Sequence, residues 1–333
     1  MSKLRVLTYA NGIMSHLDGR VESVTVNGDV GTCFRTCEVS LINAYNLRER
    51  ALNFVLGKEL RVYYEGREVF RGVLFTQGIS TDGKQTLTAY DHNVYLVKNA
   101  DTVVYKNKSA SAIIKDLCSK YGIRIGTIDD TGYVIKSHIA RGKSLFDIAT
   151  IALTTTYKAT GRKYRLVNKG GKFNLLNVRE AKRLTIVENG RNIISASYSE
   201  SIEDVRTSVK LTGGDEKKPI TARADDTKSK AKYGVMQHYE HMSDVKKAGN
   251  LSSLAKQMLK ELSQPKREFD VEALGDSDVV SGISIAVKES MTGIQGTFYV
   301  VSDTHTFNAD NTHTMSLKLS RTLDLPQMEA DKA

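Results

Sequence analysis

A β-rich α+β fold, with two antiparallel β-barrel or sandwich domains and a small α+β domain inserted between them, is what this 333-residue sequence predicts. Two observations carry that reading. The strand grammar of residues 58–97 recurs in different wording over 282–320, and the stretch between them places apolar residues at helical spacing.

The first meander is read at 60–64, 69–78 and 85–91, with turns at Glu65-Gly66 and Asp82-Gly83. The second is read at 282–287, 297–307 and 313–320, with a loop closing on Gly293 and a turn over 308–311. Gly, Asn and Asp tolerate the positive φ of tight hairpins, so such turns between alternating apolar and polar runs are hairpin signals. Two β-units of one kind in one chain imply two equivalent surfaces.

The elements follow in order. Residues 1–104 form the first β-domain, with strands at 21–26 and 36–42, Asn27-Gly28-Asp29 turning the chain between them, and a short helix or irregular loop around Tyr45, Leu47, Ala51, Leu52 and Val55. Residues 105–190 form the insert. Ser109 sits at an N-cap before Ala112, Ile113, Ile114, Leu117, Cys118 and Tyr121, and Gly122 ends that run; a second helix starts at Ser144 and stops at Gly161. Strands at 164–167 and 172–178 are joined by Asn168-Lys169-Gly170-Gly171. Residues 191–325 form the second β-domain, carrying a charged loop at 213–232 and a helix at 252–262 that Pro265 closes; 326–333 reads as a flexible polar tail.

Composition bounds the function. Apolar content of 40% and charged content of 26% are ordinary for a globular protein, and no apolar run is long enough to cross a bilayer. No secretory signal is read at the N-terminus, so folding in the cytoplasm is expected. Cys33, Cys37 and Cys118 make an odd count with no second pair at zinc spacing, and are expected to be reduced and buried. The net charge of +10 raises attraction to phosphates. The basic residues are nevertheless scattered, with small clusters at Lys228, Lys230 and Lys232 and at Lys266-Arg267 beside acids, and no aromatic platform accompanies them. No specific nucleic-acid partner is assigned.

No catalytic or cofactor-binding residue is assigned either. His305 and His313 fall on the two arms of one hairpin; a metal site there needs further ligands, with Asp303, Asp310 or His241 as candidates, and cross-strand polar packing on a solvated face is the preferred reading. His238, Glu240 and His241 beside the charged loop lack a readable frame for acid–base work. Asp129-Asp130 and Asp225-Asp226 fall in turns, and Gly170-Gly171 and Gly213-Gly214 are turns rather than phosphate loops.

With these residues in place a family resemblance emerges. GREVFRGVLF at 66–75, LTAYD at 87–91 and YLVKN at 95–99 resemble the first barrel of the baseplate hub proteins of contractile phage tails. SASAIIKDLCSKYGI at 109–123 and KSLFDI at 143–148 resemble their helical insert, and GTFYVVSDTHTF at 296–307 with HTMSLKL at 313–319 their closing hairpin. The likeness spans roughly 5–322 and is nearest to the XkdQ-like hubs of PBSX-type prophages, more distantly to late-control protein D hubs and the hub half of type VI VgrG spikes. It implies two tail-tube-like β-domains per chain and a homotrimer with pseudo-sixfold symmetry. Such a ring would meet a hexameric tail tube or tube-initiator protein above and a trimeric spike and baseplate proteins below, with a tape-measure protein as a further lumen partner. The implied location is the virion or a tail-like particle such as a bacteriocin, with no membrane contact in the free state. A tail-tip cell-wall hydrolase and a basic nucleic-acid-binding module are the alternatives.

Overall fold

Alternation of buried and exposed side chains builds the first strands. In the computed structural model, which describes residues 3–45, 49–178, 182–214, 219–242 and 247–331, these are β1 (Leu4–Ala10), β2 (Ile13–His16), β3 (Val21–Asp29) and β4 (Thr36–Ile42). Val24, Val26, Cys37, Val39 and Leu41 point to one face and are buried, while their neighbours are not. The expected turn at Asn27-Gly28-Asp29 is instead strand, since β3 runs on through Asp29. Around residue 50 the chain is irregular, held by isolated bridges Ala44↔Arg50 and Ala10↔Phe54; Leu47 lies outside the described residues.

β5 (Glu59–Tyr64), β6 (Arg67–Ile79) and β7 (Lys84–Asp91) form the first meander, antiparallel throughout. Glu65 and Gly66 both take positive φ, as the tight turn demands. Leu60, Val62, Leu74, Leu87 and Ala89 from these strands join Leu4, Val6, Val24 and Val39 in one core.

The insert follows α1 (Val94–Lys98) and consists of β8 (Ala100–Ser109), α2 (Ala110–Lys120), β9 (Ile125–Ile128), β10 (Val134–Ser144), α3 (Leu145–Thr160), β11 (Tyr164–Lys169) and β12 (Lys172–Asn177). Ser109 caps α2 by accepting from Ala112 N. Ser144 and Asp147 form a reciprocal capping box on α3, and Gly161 in the left-handed region ends it. Ile113, Ile114 and Leu117 of α2 pack with Ile148, Ile151 and Ala152 of α3 and Phe173 of β12 in a second core, which Cys33 from the β3–β4 loop also enters.

β13 (Lys182–Glu188) and β14 (Ile193–Ser201) return the chain to strands. The chain divides into two compact units: Met1–Ala196 with Asp270–Ala333, and Ser197–Phe269. The smaller unit contains β15 (Ser208–Gly213), β16 (Ile220–Asp225), α4 (Thr227–Tyr233), β17 (Gln237–Met242) and α5 (Ala248–Leu262). β15 pairs antiparallel with β16 and parallel with β17, and Leu251 and Ala255 of α5 cover Val209, Leu211, Ala222 and Ala224. Here the expected loop at 213–232 is corrected. Residues 220–225 are a strand because Ile220, Ala222 and Ala224 alternate into this core, and 227–233 are helical because the Asp226 carboxylate accepts from Lys228 N and Ser229 N. Residues 215–218 of that segment lie outside the described residues.

β18 (Lys266–Leu274), which enters the larger unit at Asp270, and β19 (Ser284–Lys288), β20 (Gln295–Asn308) and β21 (His313–Ser320) complete that unit. They join the first strands in a single 13-stranded sheet of order β14-β18-β21-β20-β3-β4-β7-β6-β5-β1-β2, with β19 on the first half of β20 and β13 parallel to β19. The fold is thus β-rich with antiparallel sheets, as the sequence predicts.

The tail beyond 325 differs from expectation as well. Met328 packs on the insert core and its N–H donates to Thr154 Oγ1 (3.1 Å), Glu329 pairs with Lys158, and Asp331 accepts from Arg141 N (2.7 Å) while donating its own N–H to Ile139 O (3.1 Å). A polar-looking segment is docked because a buried Leu323 and Met328 anchor it. Lys332 and Ala333 lie outside the described residues.

Candidate assembly surface and the seam between the meanders

The two meanders share a build. β5–β6–β7 and β19–β20–β21 are consecutive antiparallel triplets, each with a long middle strand, 13 residues in β6 and 14 in β20, and an eight-residue third strand. In each, the pairing of middle with third strand carries a bulge, between Leu74 and Thr76 in the first and between Val300 and Ser302 in the second. A bulge bends and twists its strand, so both triplets curve at the corresponding point.

They are joined through β3 and β4: β20 pairs with β3, β3 with β4, and β4 with β7. The β20–β3 register runs from Ser302↔Asp29 to Asn308↔Ser23, and Phe307 of β20 enters the core of the first meander. A buried polar chain crosses this seam. Asp303 on β20, 0% exposed, accepts both guanidinium nitrogens of Arg35 from the β3–β4 loop, Nη1 at 3.0 Å, and also Ser281 N at 2.6 Å. Its partner across the ladder is Gly28, where a Cβ would stand 2.3 Å from Arg35 Nη1 and 2.8 Å from Asp303 Oδ1. Gly28 therefore leaves the passage through which Arg35 reaches the carboxylate.

His305 continues the chain. Its Nε2 donates to Val279 O (2.8 Å) and lies 3.4 Å from Asp303 Oδ2, which leaves Nδ1 to accept from His313 Nε2–H at 3.0 Å. Both imidazoles are buried, which overturns the solvated face expected for them: β20 carries His305 and β21 carries His313 inward beside Phe307, on which His313 stacks at 4.0 Å, and Tyr64 of the first meander closes the edge. Burial holds the pKa of His305 below the ordinary imidazole value, and burial with the neighbouring His305 brings His313 down to about 4. Among the described residues no cluster of three or more His, Cys, Asp or Glu is placed to hold a metal.

The other sequence candidates occupy structural posts. Asp310 caps its own turn by accepting from Thr312 N (2.9 Å). His238 Nε2 sits 3.3 Å from Glu240 on the exposed strand β17, and His241 contacts Thr212 Oγ1 at 2.9 Å. Asp129 accepts from Asn177 N (2.7 Å) and Asp130 from Gly132 N (3.2 Å), while Asp225 takes Lys230 (2.5 Å) and Asp226 caps α4. Lys266 and Arg267 each face a glutamate at 2.9 Å, so that basic pair is neutralised where it stands. Cys33, Cys37 and Cys118 are free thiols, all buried, and burial pushes Cys118 up to about 12.

What remains is surface for partners. The sheet ends openly on β2, where Ile13 is 66% exposed beside Met14, and on β14; the β19–β20 loop presents Met291 at 91%. Open edges offer unpaired backbone donors and acceptors to another strand. No helix among the described residues is long and apolar enough to cross a membrane.

This arrangement is a phage-tail fold. The 43 kDa tail protein of prophage MuSo2 from Shewanella oneidensis superposes with a TM-score of 0.69 at 14% identity, covering 95% of this chain and 98% of its own. An E. coli component of the type VI secretion system, described as structurally similar to the T4 bacteriophage tail proteins gp27 and gp5, superposes at 0.58 with 9% identity, over 97% and 79%. The chain belongs to the YqbQ-like family, whose pattern it matches over residues 24–320. It is 35% identical to the uncharacterized protein YqbQ of Bacillus subtilis (strain 168) over 79% of this chain and 81% of that one, and 31% identical to the phage-like element PBSX protein XkdQ of the same organism over 92% and 94%.

Proposed function

We propose that this protein is a structural subunit of a phage-type tail and, within it, the baseplate hub: three copies form a ring that joins a hexameric tail tube to a trimeric spike. The observation that carries the reading is the pair of like-built meanders in one continuous sheet. Two equivalent units per chain times three chains present six positions to a sixfold tube, while the chains themselves present three to a threefold spike. Open edges at β2 and β14 and the exposed Met291 loop fit contacts made by backbone and apolar groups, with no reacting group required. Kinship with the PBSX protein XkdQ and likeness to prophage tail proteins support the same assignment, in a phage, a defective prophage or a bacteriocin-like particle.

The test is mass and symmetry in the assembled state. Light scattering on the protein with its tube and spike partners should give three chains per assembly, and averaged images of the particle should show the two meanders alternating around one ring. A stable dimer or hexamer in the particle refutes the adaptor reading. A cleared band in a zymogram against Gram-positive cell wall would favour the hydrolase instead.

A further inference from the structure

A cavity of about 490 Å³ lies within the larger unit, between the β3–β4 loop, α3 and β11 of the insert, the 277–283 loop and the docked tail at Leu325–Gln327. Its volume is in the range of small-ligand sites. Phe146, Leu153, Leu166 and Ile283 give it apolar walls.

Its charges are unevenly committed. The carboxylates already have partners: Asp29 accepts Gly31 N at 2.7 Å, Asp91 accepts the N–H groups of Arg35 and Asn93, both at 2.8 Å, and Asp278 faces Arg67 at 3.3 Å. Arg165 is different. Among the described residues it makes one hydrogen bond, from Nη1 to Ser281 O at 3.0 Å, and its Nε is sealed from solvent with no acceptor. A guanidinium offers five N–H donors in a planar fork, so most of this one's capacity is unused. Burial also lowers its pKa, the mark of a cation lacking compensation. The position is built for it: Gly282, at φ +87°, leaves room for the Arg165 side chain, since a Cβ there would come within 2.9 Å of Arg165 Cδ. Arg162 lines the same cavity and makes no ion pair among the described residues.

We propose that this cavity is a binding site for a carboxylate carried on an apolar body, with Arg165 as the fork that receives the carboxylate and Phe146, Leu153 and Ile283 as the walls that take the body. A carboxylate matches the guanidinium in charge and bidentate geometry, which a neutral ligand does not. The same chemistry is offered by a free carboxylic acid and by the C-terminal end of a partner chain.

Titration calorimetry on the full chain separates these sources, using 3-phenylpropionate, its neutral counterpart 3-phenylpropanol, and acetyl-Ala-Phe as free acid and as amide. The acid form of at least one pair should bind about tenfold or more tighter than its neutral partner, and Arg165→Met should remove that preference. Tighter binding by the peptide acid identifies a chain end as occupant, tighter binding by 3-phenylpropionate a small molecule. Leu153→Trp, which fills the cavity from α3, should abolish binding of both. Equal affinity for acid and neutral forms, an acid preference that survives Arg165→Met, or no binding by any of the four overturns the proposal.

Discussion

Replacing Arg35 with Met tests the seam most directly. The substitution keeps the aliphatic stem and deletes the guanidinium from a carboxylate with no solvent exposure. Asp303 would retain Ser281 N at 2.6 Å and the imidazole of His305 at 3.4 Å, but no fixed cation. Leaving a buried charge without its partner costs about 3–5 kcal/mol. Gly28→Ala should do similar damage without touching either charge, because its Cβ occupies the place of Arg35 Nη1. The chain has no Trp, so urea titrations followed by far-UV circular dichroism are the suitable assay. Arg35→Met combined with Asp303→Asn should recover about 2 kcal/mol of the single-mutant loss, since both ends of the pair are then neutral. The penalty of Arg35→Met should also shrink as pH falls, because an unpaired Asp303 favours protonation of the adjacent His305. A cost below about 1 kcal/mol for Arg35→Met, or strict additivity with Asp303→Asn, would refute the claim that this pair holds the two meanders together.

Three further outcomes are expected. With His305 and His313 both depressed, their contribution to stability is complete above the unfolded imidazole pKa of about 6.5 and is lost as pH falls toward about 4; urea midpoints should drop through that window, and His305→Asn with His313→Asn should flatten the drop. His138 is fully buried and, among the described residues, neither of its ring nitrogens is bonded, so His138→Leu should raise stability by about 1 kcal/mol, and a loss of that size would show an unseen partner. Buried thiols with raised pKa should resist Ellman's reagent in the folded chain and react once urea unfolds it; fast labelling of Cys118 in the native state would contradict its burial.

The sequence was legible where local chemistry alone decides the backbone. Glu65-Gly66 sets a turn, Ser144 with Asp147 caps a helix, and Gly161 ends one, whatever lies elsewhere in the chain. It was misleading where a distant partner decides. Gly28 between Asn27 and Asp29 has the composition of a turn, yet stays in strand because β20 pairs along it, Asp303 opposite Gly28, and is glycine because Arg35 passes over it. β16 was hidden because its inward residues are largely alanines while Thr221, Arg223 and Asp225 give the segment a loop's polarity. His305 and His313 alternate with polar neighbours as a solvated strand would; only the pairing of β20 with β3 puts them inside. The cavity draws on six separated segments and leaves no local signal at all.

The pairing of β3 with β20 also governs when the molecule can be finished. Arg35 waits for a carboxylate 268 residues further along, and the first core waits for Phe307. On the ribosome the N-terminal strands are therefore complete in sequence long before they are complete in structure, and closing so long a loop makes the last step slow. A chain cut short anywhere before β20 keeps the β3 edge open and lacks the second of its two meanders. Truncated chains would thus have no place in the proposed ring, whose symmetry requires both meanders in every copy.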